Sequence, residues 1–469
     1  MKRKTVSLCV IAKDEEATIG MAIKSVLALV DEVIVIDTGS QDNTRIIAEG
    51  YGARVVDVPW EDDFSAARNA ALDEAHCDWV LMLDADEYLQ PVRPIEFQTL
   101  LHEDSTAGYR LRLISAASAD HVADDNRVRL FRNIPSVRYQ YPINERIMPA
   151  LGEWAEDNGM LIQYTDLAIM HEPRGQDRTV RRRERNLRIL QKAVVAYPDE
   201  PYFPYQLACA ALEFNDCEIL PVSGINRALA HMKRAWEKAE KLPMDARKNL
   251  SWLADLGSRM MSTHLALAEI DEAKKFSREV LKVFPDHPQV LLQAVAVTCR
   301  ELEGHGAAKS LPSAANMLQQ AHKNLEMILS GRTRSYGSAV DARVRDLHPL
   351  RFQGELALRE GKVSAAVAAF EKALSLDPNY SYGWLGMAEC SRFAGDRKRA
   401  LKLYLRTVTE DDTNHRAWIR GCDLMDEMGF KDNAKSWWLK VAEKFPEHPL
   451  VAASHNMADN ERTRPAMPV

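Results

Sequence analysis

Two patterns of hydrophobic residues divide the chain. As far as about residue 113, short apolar runs alternate with amphipathic segments, beginning at 5–12, 18–29 and 32–36. Strands that alternate with helical segments are typical of a mostly parallel sheet covered by helices on both faces. Further strands are predicted at 53–58, 79–83, 109–114, 127–131 and 161–170. The first part of the chain is therefore predicted to be an α/β domain spanning residues 1–175.

A period of 34 residues runs through the C-terminal part of the chain. It separates the members of three columns: Gly361, Gly395 and Gly429; Ala366, Ala400 and Ala434; Phe370, Tyr404 and Trp438. Glycine suits the turn between two helices, alanine lets helices approach closely, and aromatic rings fill the groove between them. The columns resemble tetratricopeptide repeats, stacked helical hairpins that mostly hold peptides or partner proteins. We expect degenerate helical repeats at 176–345, tetratricopeptide-like repeats at 346–455 and a disordered tail at 456–469.

The composition of the chain limits the classes of binding partner that can be expected. The 61 basic and 68 acidic side chains give a net charge of -7, which offers no general attraction to nucleic acid or anionic lipid. No apolar stretch reaches the roughly 20 residues of a membrane helix, so no integral membrane segment is predicted. Seven cysteines without metal-ligand or disulfide spacing favour a reducing cytoplasm. Small molecules and proteins are the expected partners, and the oligomeric state stays open.

The predicted strand 79–83 ends in two acids, Asp84 and Asp86. The carboxyl ends of parallel strands meet at one edge of the sheet, which is where open α/β sheets bind their ligands. Carboxylate oxygens at such an edge suit a divalent cation such as Mg²⁺ or Mn²⁺. The sequence therefore predicts a cation-dependent ligand site after this strand.

Other polar clusters follow the neighbouring predicted strands. Asp14 follows the first strand, and Asp37 follows the second beside Gly39, which permits a tight turn. Asp63 is placed to cap a helix in which Arg68 could reach a phosphate with its two-pronged guanidinium. If the βαβ order is right, all these clusters lie at the same edge of the sheet.

Together these motifs resemble family 2 of the inverting, sugar-nucleotide-dependent glycosyltransferases, which have the GT-A fold. The similar segments are 7–16, 35–44, 62–69 and 83–87, with looser similarity at 129–133, around Glu145 and at 169–171. A catalytic domain followed by helical repeats is also similar to the branch that includes the sublancin-type peptide glycosyltransferases. Members of that branch attach sugars to cysteine or hydroxyl side chains. This chain differs from related sequences in having Asp14 in place of Asn and Asn144 in place of His.

The resemblance implies a role for each matching acid on the donor side. Asp37 would contact the nucleobase, and Asp14 and Arg68 would line the nucleotide pocket. Asp84 and Asp86 would hold the ribose and the metal. The implied donor is a nucleotide sugar, with UDP-hexose or UDP-N-acetylhexosamine favoured.

Two further residues complete the implied site. His171 would be the third metal ligand beside Asp84 and Asp86, for Mn²⁺ or Mg²⁺. An inverting transfer needs a general base on the acceptor side, and Glu145 is the candidate. The expected catalytic residues are thus Glu145 and Asp86.

The acceptor and the overall role leave alternatives. A peptide or protein acceptor held by the helical repeats is favoured, because stacked hairpins form a concave surface suited to an extended chain. A transferase of lipid-linked or surface polysaccharide assembly is a second reading. A third is a scaffold whose inactive catalytic domain senses nucleotide sugars while the repeats recruit partners.

Overall fold

The computed structural model describes residues 3–115, 127–171, 176–213, 224–250, 252–304, 312–336 and 340–445. The chain forms two compact units, Met1–Lys241 and Leu242–Val469. Within the described residues, no helix is both long enough and apolar enough to cross a membrane. The predicted tail at 456–469 lies outside the described residues.

The first unit is built on a mixed sheet. Its strands are β1 (Val6–Ala12), β2 (Glu32–Asp37), β3 (Arg54–Asp57), β4 (Trp79–Asp84), β5 (Glu87–Leu89), β6 (Thr106–Ser115), β7 (Arg127–Arg132) and β8 (Leu161–His171). In the described residues they form one sheet in the order β3-β2-β1-β4-β7-β6-β8-β5. Strands β1 to β4 are parallel to one another, whereas β7 is antiparallel to β4 and β6. The predicted α/β fold is confirmed, and β5 is a strand that the sequence pattern did not predict.

Helices cover both faces of this sheet. Those interspersed with the strands are α1 (Ile19–Lys24), α2 (Thr44–Gly50), α3 (Phe64–Asp73), α4 (Pro94–Leu101) and α5 (Met148–Asp157). Leu8 of β1 packs in the same cluster as Ile19 of α1, whereas its neighbour Cys9 packs in the cluster of Ala67 of α3. Both faces of β1 are therefore buried, which explains its unbroken run of apolar residues.

Three more helices complete the first unit: α6 (Gln176–Ala196), α7 (Tyr202–Glu213) and α8 (Gly224–Glu240). The compact unit thus extends beyond residue 175, where the sequence pattern changes from strands to helices. The functional division at that residue remains a prediction.

The second unit is helical throughout its described residues. Its helices are α9 (Met244–Asn249), α10 (Leu253–Ala266), α11 (Ile270–Val283), α12 (Pro288–Gly304), α13 (Pro312–Leu329), α14 (Ala342–Asp346), α15 (His348–Arg359), α16 (Val363–Leu376), α17 (Ser381–Phe393), α18 (Arg397–Glu410), α19 (His415–Glu427) and α20 (Lys431–Lys444). The last six form three hairpins, which is the predicted solenoid of helix pairs.

The 34-residue period has a structural cause in these hairpins. Gly361, Gly395 and Gly429 each follow the first helix of a pair with φ of +75°, +82° and +82°. This left-handed conformation ends a helix and strains a residue that has a Cβ. The packing of the aromatic column requires glycine at a further position: a Cβ on Gly386 would lie 2.2 Å from the ring of Phe370 and would clash with it. The repeat columns therefore mark backbone and packing requirements.

Candidate active site

The loops after β1 and β2 are joined by hydrogen bonds at the carboxyl edge of the sheet. Asp14, whose φ is 55°, accepts a hydrogen bond on Oδ1 from the backbone N–H of Gln41 at 2.7 Å. Its own backbone N–H donates to the hydroxyl of Ser40 at 3.0 Å. Asp37 is buried and accepts on Oδ1 from the N–H groups of Gly39 and Ser40, at 3.0 and 2.8 Å. One oxygen of Asp37 thus shapes its own turn, and the two acids predicted to bind the nucleotide lie on adjacent loops.

Arg68 lies in α3 and joins two of the predicted site residues. The carboxylate of Asp63 accepts from the N–H of Ala66 at 3.0 Å and caps the helix, as predicted. From this helix the Arg68 guanidinium donates through Nη2 to Asp84 Oδ1 at 2.7 Å and through Nε to Glu145 Oε1 at 2.6 Å. The side chain of Arg68 is only 5% exposed. Among the described residues its third nitrogen, Nη1, is buried without a hydrogen-bond partner.

A second buried arginine approaches Asp84 from the neighbouring strand. Arg129 of β7 lies 3.3 Å from Asp84 Oδ2 and 2.7 Å from Glu87 Oε1, both measured from Nη2. Glu87 also accepts from the backbone N–H of Asp84 at 2.9 Å. Neither Arg129 nor Glu87 was among the predicted site residues. The available signal was an arginine between the apolar residues Val128 and Leu130 of a predicted strand, because a buried cation requires an acidic partner.

These contacts shift the pKa values of Asp84 and Glu87 in opposite directions. Burial favours the neutral form of Asp84, but the charges of Arg68 and Arg129 outweigh it and hold the pKa of that carboxyl well below its ordinary value. Burial raises the pKa of Glu87, against the charge of Arg129 and together with the charge of Asp84. Asp84 is the last residue of β4, so a carboxylate that stays charged lies at the end of this strand.

Asp86 contacts the other predicted metal ligand, His171. Antiparallel pairing of β5 with β8 sets Glu87 opposite His171, and this register brings Asp86 Oδ2 to 3.0 Å from His171 Nε2. Neighbouring ligand atoms of an octahedral ion with bonds of about 2.1 Å lie about 3 Å apart. This pair therefore fits two adjacent ligands of one Mn²⁺ or Mg²⁺ ion.

Asp84 is arranged differently from this pair, because both of its oxygens face arginines. In the described part of the chain, no group of three or more His, Cys, Asp or Glu side chains is placed to hold a metal ion. The structure thus assembles Asp86 with His171, and Arg68 with Asp84 and Glu145. Metal ligation by Asp84, Asp86 and His171 stays a prediction.

The arginine-rich helix α6 contacts the loop that precedes α3. Arg188 Nη2 and Lys192 Nζ lie 2.7 and 2.6 Å from the carboxylate of Asp62, a residue with a φ of 61°. The guanidinium of Arg185 lies 4.8 Å from the ring centroid of Phe64, the first residue of α3. Part of the basic run in α6 therefore holds the start of the helix that carries Arg68.

Comparisons with known proteins agree with this architecture. Residues 7–117 match the model described as Glycosyl transferase family 2, and residues 357–453 match a tetratricopeptide repeat model. The chain contains a family 2 glycosyltransferase domain followed by tetratricopeptide repeats. The closer similarity to sublancin-type enzymes stays a prediction.

Individual relatives share only part of the chain. It is 35% identical over 215 residues to a TPR repeat-containing protein of Synechococcus elongatus, covering 45% of this chain and 53% of that protein. It is 36% identical over 133 residues to an uncharacterized glycosyltransferase of Rickettsia bellii, covering 27% of this chain and 42% of that protein. The chain thus spans about half the length of these curated relatives.

A solved structure similar to part of this chain is glucosyl-3-phosphoglycerate synthase from Mycobacterium tuberculosis, in complex with Mn²⁺, UDP-glucose and phosphoglyceric acid. The similarity covers 38% of this chain and 74% of that chain, at 23% identity and a TM-score of 0.30. A similarity at this level does not decide donor or acceptor.

Proposed function

We propose that this protein is a metal-dependent, inverting glycosyltransferase that moves a sugar from a UDP-sugar to a side chain of a peptide or protein. The main support is Arg68, which is buried and hydrogen-bonded to both Asp84 and Glu145. Asp84 follows the strand at which the donor would bind, and Glu145 is the candidate base for the acceptor. One rigid cation thus fixes the relative positions of the donor-side and acceptor-side carboxylates.

On the donor side, the proposed nucleotide pocket is formed by the joined loops of Asp14 and Asp37. Asp86 and His171 would hold Mn²⁺ or Mg²⁺. The ion, when bound, neutralises the negative charge that develops on the diphosphate as the sugar leaves. Arg68 would hold Asp84 in place at the edge of this pocket through its hydrogen bond from Nη2.

On the acceptor side, Glu145 is the proposed general base. Its Oε1 is held by Arg68 Nε, and its Oε2 accepts no hydrogen bond from the described residues. Oε2 would take the proton of an acceptor hydroxyl or thiol as the acceptor atom attacks the anomeric carbon. Attack from the face opposite the diphosphate breaks the bond between sugar and phosphate and inverts the anomeric configuration. The proton then resides on Glu145.

A peptide or protein acceptor is proposed because of the repeats. Three hairpins at 348–444 stack as a solenoid, and stacked helical hairpins commonly bind extended chains. Within this region Arg351, Glu355 and Arg416 form a polar cluster, with Arg351 Nε 2.9 Å and Arg416 Nη1 3.5 Å from Glu355 Oε1. Because these three side chains are mostly buried against one another, we assign acceptor binding to the outer surface of the repeats and not to this cluster.

The acceptor class can be tested with a radiolabelled UDP-sugar in a cell lysate of the source organism. Purified protein is added with Mn²⁺, and label is followed in three fractions: acid-precipitable material, organic extract and free sugar. Label that becomes acid-soluble after protease treatment would support the proposal. Label in the organic extract would point to lipid-linked acceptors, and UDP binding without any label transfer would favour the nucleotide-sugar-sensing scaffold. An Asp86→Asn variant, with Asp166→Asn on the exposed part of β8 as its control, identifies label that depends on this site.

A further inference from the structure

The segment 140–146, called here the Glu145 loop, is closed on itself. The backbone N–H of Gln140 donates to the carbonyl of Arg146, and the N–H of Arg146 donates back to the carbonyl of Gln140, both at 3.0 Å. Inside the loop, Tyr141 has a φ of 76° and Asn144 a φ of 52°. For a bulky residue such as tyrosine this left-handed conformation is strained, and it persists only where surrounding contacts enforce it.

The enforcing contacts for Tyr141 come from the hairpin of α6 and α7. The Tyr141 hydroxyl donates to Glu200 Oε2 at 2.7 Å, in the turn between the two helices. Its ring lies edge-on to the rings of Phe203 and Tyr197, with centroids 5.3 and 5.9 Å apart. The strained tyrosine is thus fixed by one hydrogen bond and two aromatic contacts.

The two residues that flank Glu145 contact the same hairpin. Asn144 Nδ2 donates to Gln206 Oε1 on α7 at 3.1 Å. The guanidinium of Arg146 lies 3.9 Å from the ring centroid of Tyr202, the first residue of α7. Both contacts are within the first compact unit. The backbone of Glu145 is therefore held on each side by α7.

The opposite side of the loop is attached to α3. The backbone N–H of Phe64 donates to the carbonyl of Pro142 at 2.9 Å. Just before the loop, the side chain of Asn69 and the backbone of Tyr139 exchange two hydrogen bonds, at 3.0 and 2.8 Å. Since α3 also carries Arg68, Glu145 lies between the helix of its arginine partner and the α6–α7 hairpin.

We propose that the α6–α7 hairpin is part of the active site, and that Tyr141 and Gln206 are positioning residues that hold Glu145 in its catalytic orientation. This inference rests on the proposed function, in which Glu145 is the general base. It gives the first helical hairpin after the sheet a role distinct from acceptor binding by the later repeats. Neither residue contacts the donor-side acids in the described hydrogen bonds.

The test uses Tyr141→Phe and Gln206→Ala in the full-length chain. Tyr141→Phe keeps the ring contacts and removes the hydrogen bond to Glu200, whereas Gln206→Ala removes the partner of Asn144. Each should lower kcat about 10-fold, because small misplacement of a catalytic group is costly, with donor KM within about twofold of the wild-type value. Tyr164→Phe, at a tyrosine that is 70% exposed on β8, should leave both constants unchanged.

A second readout separates this inference from the proposed function. Hydrogen exchange of the peptide covering 140–146 should be faster in Tyr141→Phe and Gln206→Ala, while exchange in α3 and UDP binding stay at wild-type levels. Two results would overturn the positioning role, provided that the wild-type protein transfers sugar. In the first, the variants keep full kcat; in the second, they lose donor binding and kcat equally. A wild-type protein without transfer activity would overturn the proposed function. Even then, unchanged hydrogen exchange of 140–146 in both variants would show that the α6–α7 hairpin does not hold the Glu145 loop in place.

Discussion

Each of the two compact units contains a network of arginines and carboxylates, largely buried in the first unit and half-buried in the second, and the two networks differ in where they lie. The network of the first unit consists of Arg68, Arg129, Asp84, Glu87 and Glu145. The network of the second unit consists of Arg351, Arg359, Arg416, Glu303 and Glu355. The first stands at the carboxyl ends of parallel strands, the second on the sides of packed helices.

The composition of the two networks does not distinguish them. Each contains a buried guanidinium nitrogen without a partner among the described residues, Nη1 of Arg68 and Nε of Arg359. Buried ion pairs are common in folded proteins and give little net stability against apolar replacements. Position in the fold is the informative difference, since open α/β sheets bind ligands beyond their carboxyl strand ends. We therefore expect variants of the first network to affect turnover and variants of the second to affect stability.

The largest expected effect follows from Asp86→Asn beside the first network. Losing the charged partner of His171 should lower metal-dependent turnover about 10³-fold, because the proposed ion contributes several kcal/mol of charge stabilisation. The measurement is UDP release at saturating donor and Mn²⁺. Asp166→Asn, at an exposed position of β8, is the control and should retain wild-type turnover. Equal turnover of both variants would remove Asp86 from the reaction.

Arg68→Lys should have the next largest effect. A lysine has no fork with which to reach Asp84 and Glu145 together, so kcat should fall about 100-fold. Arg45→Lys is a matched control, because Arg45 pairs with Glu49 and Asp57 on the exposed surface. A kcat for Arg68→Lys within a factor of two of the wild-type value would show that the link between the two carboxylates is dispensable.

In the second network, Glu355→Gln should change stability and leave the donor KM unaltered. Removing the acid that Arg351 and Arg416 share should cost about 2 kcal/mol, which corresponds to roughly 30-fold faster hydrogen exchange in α15. Glu371→Gln, on the exposed side of α16, should leave exchange unchanged. A roughly 30-fold loss of sugar transfer in Glu355→Gln, without faster hydrogen exchange in α15, would contradict the assignment of this network to stability.

The same carboxylate predicts a pH dependence. Burial would raise the pKa of Glu355, but the charges of Arg351 and Arg416 outweigh it and lower the pKa from 4.5 to about 2. Its stabilising contribution is therefore complete above pH 4.5 and is lost as the pH falls towards 2. Exchange protection of α15, measured between pH 5 and 2.5 and corrected for intrinsic rates, should fall more steeply in the wild-type protein than in Glu355→Gln. Parallel curves would exclude this linkage.

The smallest expected effect concerns the repeat turns. Gly395→Ala, at a φ of +82°, should cost about 1 kcal/mol because alanine is strained in the left-handed region. Gly50→Ala is the contrasting change, since Gly50 ends α2 with a negative φ and no atom within 4 Å of an added Cβ. Thermal unfolding should show a lower transition for the first variant and an equal or higher one for the second.

The sequence predicted those parts of the fold that depend on local pattern. The seven predicted strands are present. The signal is clearest for β1, β2 and β4, which are nearly continuous apolar runs buried on both faces. The repeat glycines have the turn geometry that their spacing indicates. The three-residue strand β5 was missed. Its conformation depends on pairing with β8, a partner more than 70 residues away, and such short segments have no pattern of their own.

The candidate site shows the same division. Asp84 and Arg68 could be placed together because both follow strands that end at one edge of the sheet. Arg129 comes from an antiparallel strand, and Glu145 comes from a loop with tyrosine and asparagine in left-handed conformations. Glu145 was itself a predicted site residue, but its contact with Arg68 and the contact of Arg129 with Asp84 join segments that are distant in the chain, so these contacts required the tertiary structure.

The central claim is that the strand-end acids support metal-dependent sugar transfer. The most direct measurement is UDP release by the wild-type protein across a panel of UDP-sugars, with Mn²⁺, after EDTA, and after Mn²⁺ is restored. The account predicts release from at least one donor that EDTA abolishes and Mn²⁺ restores. Release that is indifferent to EDTA, or silence across the panel from protein that binds UDP, would contradict it.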